Sequence, residues 1–208
     1  MKIRSAFAAG VLVASGMAAI AVAAAPAQAA VVAPSKACYP ICTPALSATR
    51  KVVAPGYRLT YKMINFAPRA NMTLSMAGVA PDTGVTSATG AITLHLVSPT
   101  TPGKYKVTAT ASGQSVSIYI YVPSITPPSS CRALINCTFD IDYIEPGTTV
   151  KFTSSGVDAV TCTPSGESSS CAVRYKALTG RTTSKQQSYR VVTGFVGTSG
   201  KVTLLRQY

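Results

Sequence analysis

Apolar and polar residues alternate with a period of two through much of residues 45–122. The pattern opens over 45–53 and breaks at an Ala-Pro-Gly turn. Tyr57, Leu59, Tyr61 and Met63 then share one side, with Arg58, Thr60 and Lys62 on the other. Met72, Leu74 and Met76 alternate with Asn71, Thr73 and Ser75, and Ile92, Leu94 and Leu96 with Thr93, His95 and Val97. Tyr105, Val107 and Ala109 alternate with Lys104, Lys106 and Thr108, and Ile118, Ile120 and Val122 with Tyr119 and Tyr121. Period two marks strands with one buried and one wet face. Helical periodicity is absent, and residues 83–91 read as a polar loop. Six short strands with turn signals between them, in about 80 residues, predict an all-β sandwich.

Residues 123–130, PSITPPSS, read as an extended Pro-rich linker between a first domain at 30–122 and a second at 131–208. Beyond it the pattern restarts. Cys131–Cys137 mirrors Cys38–Cys42, and Phe139, Ile141 and Tyr143 alternate with Asp140 and Asp142. At an offset of 91, Leu59 and Tyr61 become Val150 and Phe152; at 110, Thr83, Gly84, Gly90, Thr93 and Leu94 recur as Thr193, Gly194, Gly200, Thr203 and Leu204. Two matches in one order predict a tandem repeat. The second copy contains a segment the first lacks: 162–171, read as a disulfide-closed hairpin loop, then a strand over 172–178 and a polar, mobile stretch over 180–187. By these offsets it ends two strands early. Its edge is then filled by the extra strands at 157–178, completed by a strand from a partner or second copy, or left open by truncation. The fold class is all-β, two tandem sandwiches, the second incomplete or rearranged.

Ahead of this pattern stand Lys2 and Arg4, an alanine-rich apolar run over 6–25 and the triplet Ala27-Gln28-Ala29. That order is a secretory signal peptide over 1–29, with cleavage expected after Ala29. The two basic residues are not adjacent, which argues against a twin-arginine signal. Cys38 stands too far past the cleavage point for lipid anchoring. No later stretch reaches the ~20 apolar residues of a transmembrane helix. The expected product is secreted and extracellular, released or held at the cell surface without a covalent link. Net charge is +13 in 208 residues, and between residues 30 and 128 Asp82 is the only acid. Such an excess favours anionic surfaces such as acidic cell-wall polymers. The cations are scattered, a pattern that equally fits a soluble cationic secreted protein, and no specific nucleic-acid partner is expected.

Six cysteines in an exported chain predict disulfides: Cys38 with Cys42, Cys131 with Cys137 and Cys162 with Cys171, although six allow 15 connectivities. The competing reading, zinc, fits poorly: the spacing is wrong and there is a single histidine. That histidine, His95, falls on the outward side of its strand, where the default is a surface residue; a nucleophilic site would need it beside Asp82 or an aspartate of the second repeat. No G-x-S-x-G is present. Asp140, Asp142 and Glu145 cluster, but a calcium site needs six to eight oxygens, and a solvated strand face is the simpler reading. Neither cofactor nor metal is expected. Lys104, Lys106, Tyr119 and Tyr121 make an aromatic-cationic surface, read as a binding face, as a contact between repeats, or as ordinary exposure.

Two stretches, TSATGAITL at 86–94 and PGKYKVTA at 102–109, resemble strands of bacterial immunoglobulin-like domains of the invasin/intimin type. Tyr105, two residues before inward Val107, fits the tyrosine at the E–F corner of such sandwiches. The resemblance covers 45–122 well and 138–206 in part. It carries no catalytic residues and implies extracellular display, adhesion or spacing. The expected function is therefore an exported, non-catalytic surface-adhesion or envelope structural module. The alternative is a secreted protein binding a small molecule or anionic polymer through its C-terminal β domain. Expected partners are an anionic cell-surface polymer or another protein by strand addition, with oligomer formation following from strand exchange.

Overall fold

The computed structural model describes residues 42–179, 182–193 and 196–206; the expected signal peptide and Cys38 lie outside them. The described residues contain no helix. The first seven strands are β1 (Ala45–Ala48), β2 (Arg58–Ile64), β3 (Asn71–Met76), β4 (Val79–Val85), β5 (Ile92–Val97), β6 (Gly103–Ala111) and β7 (Gln114–Val122). They form two sheets, β1-β2-β5 and β4-β3-β6-β7. Between these sheets Leu59, Tyr61, Met63, Met72, Leu74, Leu94, Val107 and Ile120 close a core. Compared with the ABED/CFG arrangement of constant-type immunoglobulin domains, the fourth strand has changed sheets.

Three expectations for this half need correction. The strand read over 45–53 is two pieces. Residues 45–48 pair with β2; the chain then crosses to the other sheet, where Val52 bridges Tyr121 in parallel and Val53 N donates to Tyr121 O at 2.9 Å. Tyr57 precedes β2 and is 41% exposed, so the inward row starts at Leu59. The loop read over 83–91 hides the end of β4. An edge strand wet on both sides has no apolar alternation to reveal it.

The second half holds β8 (Ser124–Thr126), β9 (Ser130–Arg132), β10 (Asn136–Asp142), β11 (Val150–Ser154), β12 (Val160–Cys162), β13 (Ser168–Arg174), β14 (Ser184–Thr193) and β15 (Val196–Leu205). Their sheets are β13-β10-β8 and β12-β11-β14-β15-β9. The core between them is built on Phe139, Phe152 and Tyr189, whose ring centroids lie 4.5 to 5.9 Å apart. The Pro-rich segment is not a linker: β8 begins one residue after β7 ends. Proline is tolerated there because Pro123, Pro127 and Pro128 flank β8 and stand in no strand. Of the three resolutions for the unfinished repeat, the first holds. The strands at 160–174 belong to the sandwich, and β9 lies parallel along the Thr203–Leu205 end of β15, covering that part of its edge. The stretch read as mobile over 180–187 supplies the start of β14 from residue 184.

Strand pairing gives the true repeat register. Hairpin β6–β7 closes with Ala111 opposite Gln114, and β14–β15 closes with Thr193 opposite Val196. Leu46 faces Met63 across β1–β2 as Ile125 faces Ile141 across β8–β10. Tyr61 therefore corresponds to Phe139 and Leu59 to Cys137. The offsets of 91 and 110 matched strands with different places in the fold. Gly90 sits in a turn at φ +72, where a Cβ would lie 1.9 Å from Phe66 O, whereas Gly200 makes room for the Tyr189 ring.

The same register explains the disulfides. Cys131–Cys137 joins β9 to β10 and Cys162–Cys171 joins β12 to β13, with Cα separations of 5.6 and 5.9 Å. Each links one sheet to the other. The segment 162–171 is thus a crossover between sheets, not a hairpin, because β12 pairs with β11 and β13 with β10. In the first sandwich the matching positions are Val53 and Leu59, both buried, and Gly84 packed under Leu94. The second sandwich closes both flanks covalently where the first uses apolar contact. Cys42 is also disulfide-bonded.

Two outcomes follow. The Tyr61 side chain is fully buried and its hydroxyl has no partner; burial pushes the phenol well above its ordinary pKa. Removing an unsatisfied buried hydroxyl relieves a desolvation cost, so Tyr61→Phe should hold or raise stability by about 1 kcal/mol in denaturant melts. A clear loss would mean that the hydroxyl is satisfied in solution. Each short disulfide loop contributes about 2–3 kcal/mol by chain entropy. Reduction should therefore cut amide-exchange protection at Phe152 and Val191 well before Leu74 and Val107. Simultaneous loss at both sets would contradict this division.

Candidate functional site: the seam and the outer face of β6–β7

Strand β7 runs directly into β8, so the lower end of the first sandwich meets three parts of the second: the β10–β11 loop, the β12–β13 loop and the start of β15. Glu145, Glu167 and Val196 stand on them in that order. These two glutamates are the only ones in the chain. Lys51 Nζ lies 2.6 Å from Glu145 Oε1, and Lys104 pairs with Glu167. Tyr121 Oη donates toward Glu167 Oε1 at 3.5 Å. Between the ion pairs Val52, Tyr121 and Val196 form a small buried cluster with Ala54 against it. Two charged clamps thus flank an apolar contact.

This arrangement divides the residues singled out from the sequence. Tyr121 faces away from the first core, yet is only 7% exposed because the second sandwich covers it. Lys104 Nζ stands 4.4 Å from the Tyr119 ring centroid and 5.8 Å from that of Tyr121. Its ammonium is held by one carboxylate and two π faces. Lys106 pairs across the strands with Tyr119, and both remain exposed. The aromatic-cationic surface is therefore half interface and half open face. Sequence reasoning missed Lys51, Glu167 and Val196. A signal was present in the pairing of a cationic first half with a second half holding both glutamates.

His95 does not form a catalytic set. Its ring Nδ1 lies 3.2 Å from Thr60 Oγ1, and its backbone N donates to Asp82 Oδ2 at 2.8 Å. Asp82 comes close, as a nucleophilic site would need, but it binds the main chain and not the imidazole. It clips β4 to the free edge of β5 and blocks that edge against further pairing. Asp140 and Asp142 lie beside Ser170 and Ser168 on the outer side of β10 and β13, while Glu145 is taken by the seam. Among the described residues no three His, Cys, Asp or Glu side chains group as a metal site. No described helix is long and apolar enough to cross a membrane.

No family model matches the sequence. No curated protein matches it either. Solved structures to which the chain is similar include a C-terminal 282-residue fragment of intimin in complex with the intimin-binding domain of its translocated receptor. That likeness has TM-score 0.39 and 12% identity, covering 76% of this chain and 62% of that one. The Yersinia pseudotuberculosis adhesin InvE gives TM-score 0.33 and 11% identity, covering 77% of this chain and 58% of that one. The human OSCAR ligand-binding domain gives 0.39 and 16%, covering 80% and 96%. This chain spans about three-fifths of the intimin and InvE chains. At such TM-scores the likeness decides neither activity nor partner.

The seam makes a pH prediction. The Lys51 ammonium is held above its ordinary 10.5 chiefly by its hydrogen bond to Glu145, and Lys104 likewise by Glu167. A raised lysine pKa contributes stability that is complete below 10.5 and is lost as pH climbs through the raised value. Solvent screening keeps the Lys51–Glu145 pair to about 1 kcal/mol or less. Small-angle scattering should show one fixed inter-sandwich distance at neutral pH that broadens as pH climbs past the ordinary lysine value of 10.5. The Glu145→Gln, Glu167→Gln double variant should be broad already at neutral pH; a sharp distance in that variant would assign the rigidity to the apolar cluster alone.

Proposed function

We propose that this protein is an exported, non-catalytic immunoglobulin-like module of the bacterial cell surface, in the manner of the invasin/intimin-type tandem domains, and that it acts in adhesion or as an envelope structural element. The observation that carries this reading is the seam. A single residue separates the last strand of one sandwich from the first strand of the next, and the joint is clamped by two ion pairs around an apolar contact. A joint without slack holds two sandwiches at a set spacing, as a display or spacer element requires. Disulfide closure of the second sandwich fits an oxidising, extracellular location. The cationic excess is the basis for an anionic envelope polymer as partner.

The test is retention on washed envelopes. The protein is expected to sediment with them at low ionic strength and to be released progressively by salt, as surface electrostatics require. Absence from every envelope fraction at low salt would defeat the surface role.

A further inference from the structure

The far end of the second sandwich differs from that of the first in its corner residue and in a longer β13–β14 connection. In the first, Tyr105 stands in the inward row of β6 and its hydroxyl donates to Thr101 O at 2.8 Å. This bond pins the β5–β6 loop onto the sheet end, and Gly103 leaves room for the ring. By the matching hairpins, Gln187 of β14 takes the place of Tyr105. Gln187 is 7% exposed, and its amide Nε2 donates to Ser155 O and Oγ in the β11–β12 loop. It therefore binds the opposite loop, and the β13–β14 loop is left without the tyrosine tie.

A cleft of about 680 Å³ lies where that tie is missing, with Ser155, Lys176, Leu178, Lys185, Gln187 and Leu204 on its walls. This volume falls within the ordinary size of small-ligand sites. Its chemistry is one-sided. Lys185 continues the inward row of Gln187, Tyr189 and Val191 beyond the core, opposite buried Leu204. Among the described residues the Lys176 ammonium pairs with Asp158, at 3.4 Å, and both side chains of that pair are largely exposed. Such a pair gives way readily to a competing anion. Among the described residues that line the cleft there is no carboxylate. Leu178 and Leu204 offer an apolar wall, while Ser155 and Gln187 offer hydroxyl and amide groups.

We propose that this cleft binds an anionic sugar, a polyhydroxyl ring carrying a carboxylate or a phosphate. The leucines take the ring face, Ser155 and Gln187 take ring hydroxyls, and Lys176 and Lys185 take the anion. The site goes beyond the envelope role and stands on the cleft alone: its failure would leave envelope retention untouched.

The test is titration of the isotopically labelled full chain by NMR with tri-galacturonate, glucose 6-phosphate and maltotriose. At least one anionic probe should give saturable shifts at 176–178 and 185–188, and maltotriose should bind at least about tenfold more weakly. Response to the uronate alone assigns a carboxylate ligand; response to the phosphate alone assigns a phosphorylated one. Lys176→Ala and Lys185→Ala should each weaken binding by about tenfold with unchanged melting temperature. Gln187→Tyr should do the same by restoring the corner that closes the cleft. The proposal is overturned if neither anion gives saturable shifts up to about 10 mM, if maltotriose binds as well, or if the shifts localise to Lys106 and Tyr119 instead.

Discussion

Two small sheets laid face to face stay together only if their flanks are closed. Backbone hydrogen bonds run within each sheet and do nothing across the gap, so side chains and strand crossings must do that work. The first sandwich closes one flank by passing the chain from β1 to the edge of β7, where Val52 and Val53 dock beside Tyr121. It closes the other by packing Leu94 under Gly84 and by the Asp82 carboxylate gripping the His95 amide. The second sandwich places a disulfide at each of the same two points. Cys131, Cys137 and Cys171 are themselves buried members of its core. The bridges replace apolar contact where strand β12 has three residues and cannot cover the flank as β4 does with seven. Its folding is accordingly tied to an oxidising environment in a way that the first core is not.

The seam carries this constraint to the next level. In immunoglobulin variable domains the loops at one end of the sandwich are the usual recognition surface. Here the corresponding loops of the second sandwich are occupied by the first, through Glu145, Glu167 and Val196. Recognition is left to sheet faces, to the far end of the second sandwich and to the opposite end of the first. That last end is well ordered. Thr86 Oγ1 donates to Ala67 O at 2.6 Å and accepts from Ala70 N at 2.8 Å, while Phe66 N donates to Gly90 O at 3.1 Å. These bonds stitch the loop after β2 to the loop after β4.

What could be read from the sequence follows the physics of burial. Strands with one wet face announced themselves: the inward rows of β2, β3, β5, β6 and β7 are nearly those expected from alternation. The Tyr105 corner was legible because its motif is local, a ring two residues before Val107 with a glycine beside it. Strands β4 and β8 and the Ser168–Ser170 portion of β13 were not legible, and β12 was read only as part of unspecified extra strands at 157–178. They lie at edges, where pairing to one neighbour is enough and no apolar row is needed. The repeat was real but its register was misread. Identical Thr, Gly and Leu residues recur in any pair of strands, whereas the equivalences that matter, Tyr61 with Phe139 and Leu94 with Cys171, share burial rather than identity. The seam was legible only on one side: Lys104 and Tyr121 stood on a face for which a contact between repeats was one reading, but Glu145 and Glu167 lie far away in sequence and nothing in the pattern paired them with Lys51 and Lys104.

The placement of the acids has an electrostatic consequence for any surface role. Six acidic residues oppose nineteen basic ones. Glu145 and Glu167 are neutralised in the seam, Asp82 is turned onto backbone amides, and Asp158 sits beside Lys176. Only Asp140 and Asp142 stand together on an outer face, among the hydroxyls of Ser168, Ser170, Ser124 and Thr126. On the other sheet of the same sandwich Lys151, Arg190 and Lys201 fall on outward positions of β11, β14 and β15, with no acid among the outward residues of those strands. Arg174 of β13 shares the face of Asp140 and Asp142 and offsets one of their two charges, so the second sandwich is polarised through its thickness chiefly by the cations of the opposite sheet. Near an anionic surface such a body experiences a torque as well as an attraction, because the field acts oppositely on its two faces. The outer face of β11, β14 and β15 turns toward the surface and that of β10 and β13 away from it. Because the seam fixes the first sandwich to the second, orienting one orients both.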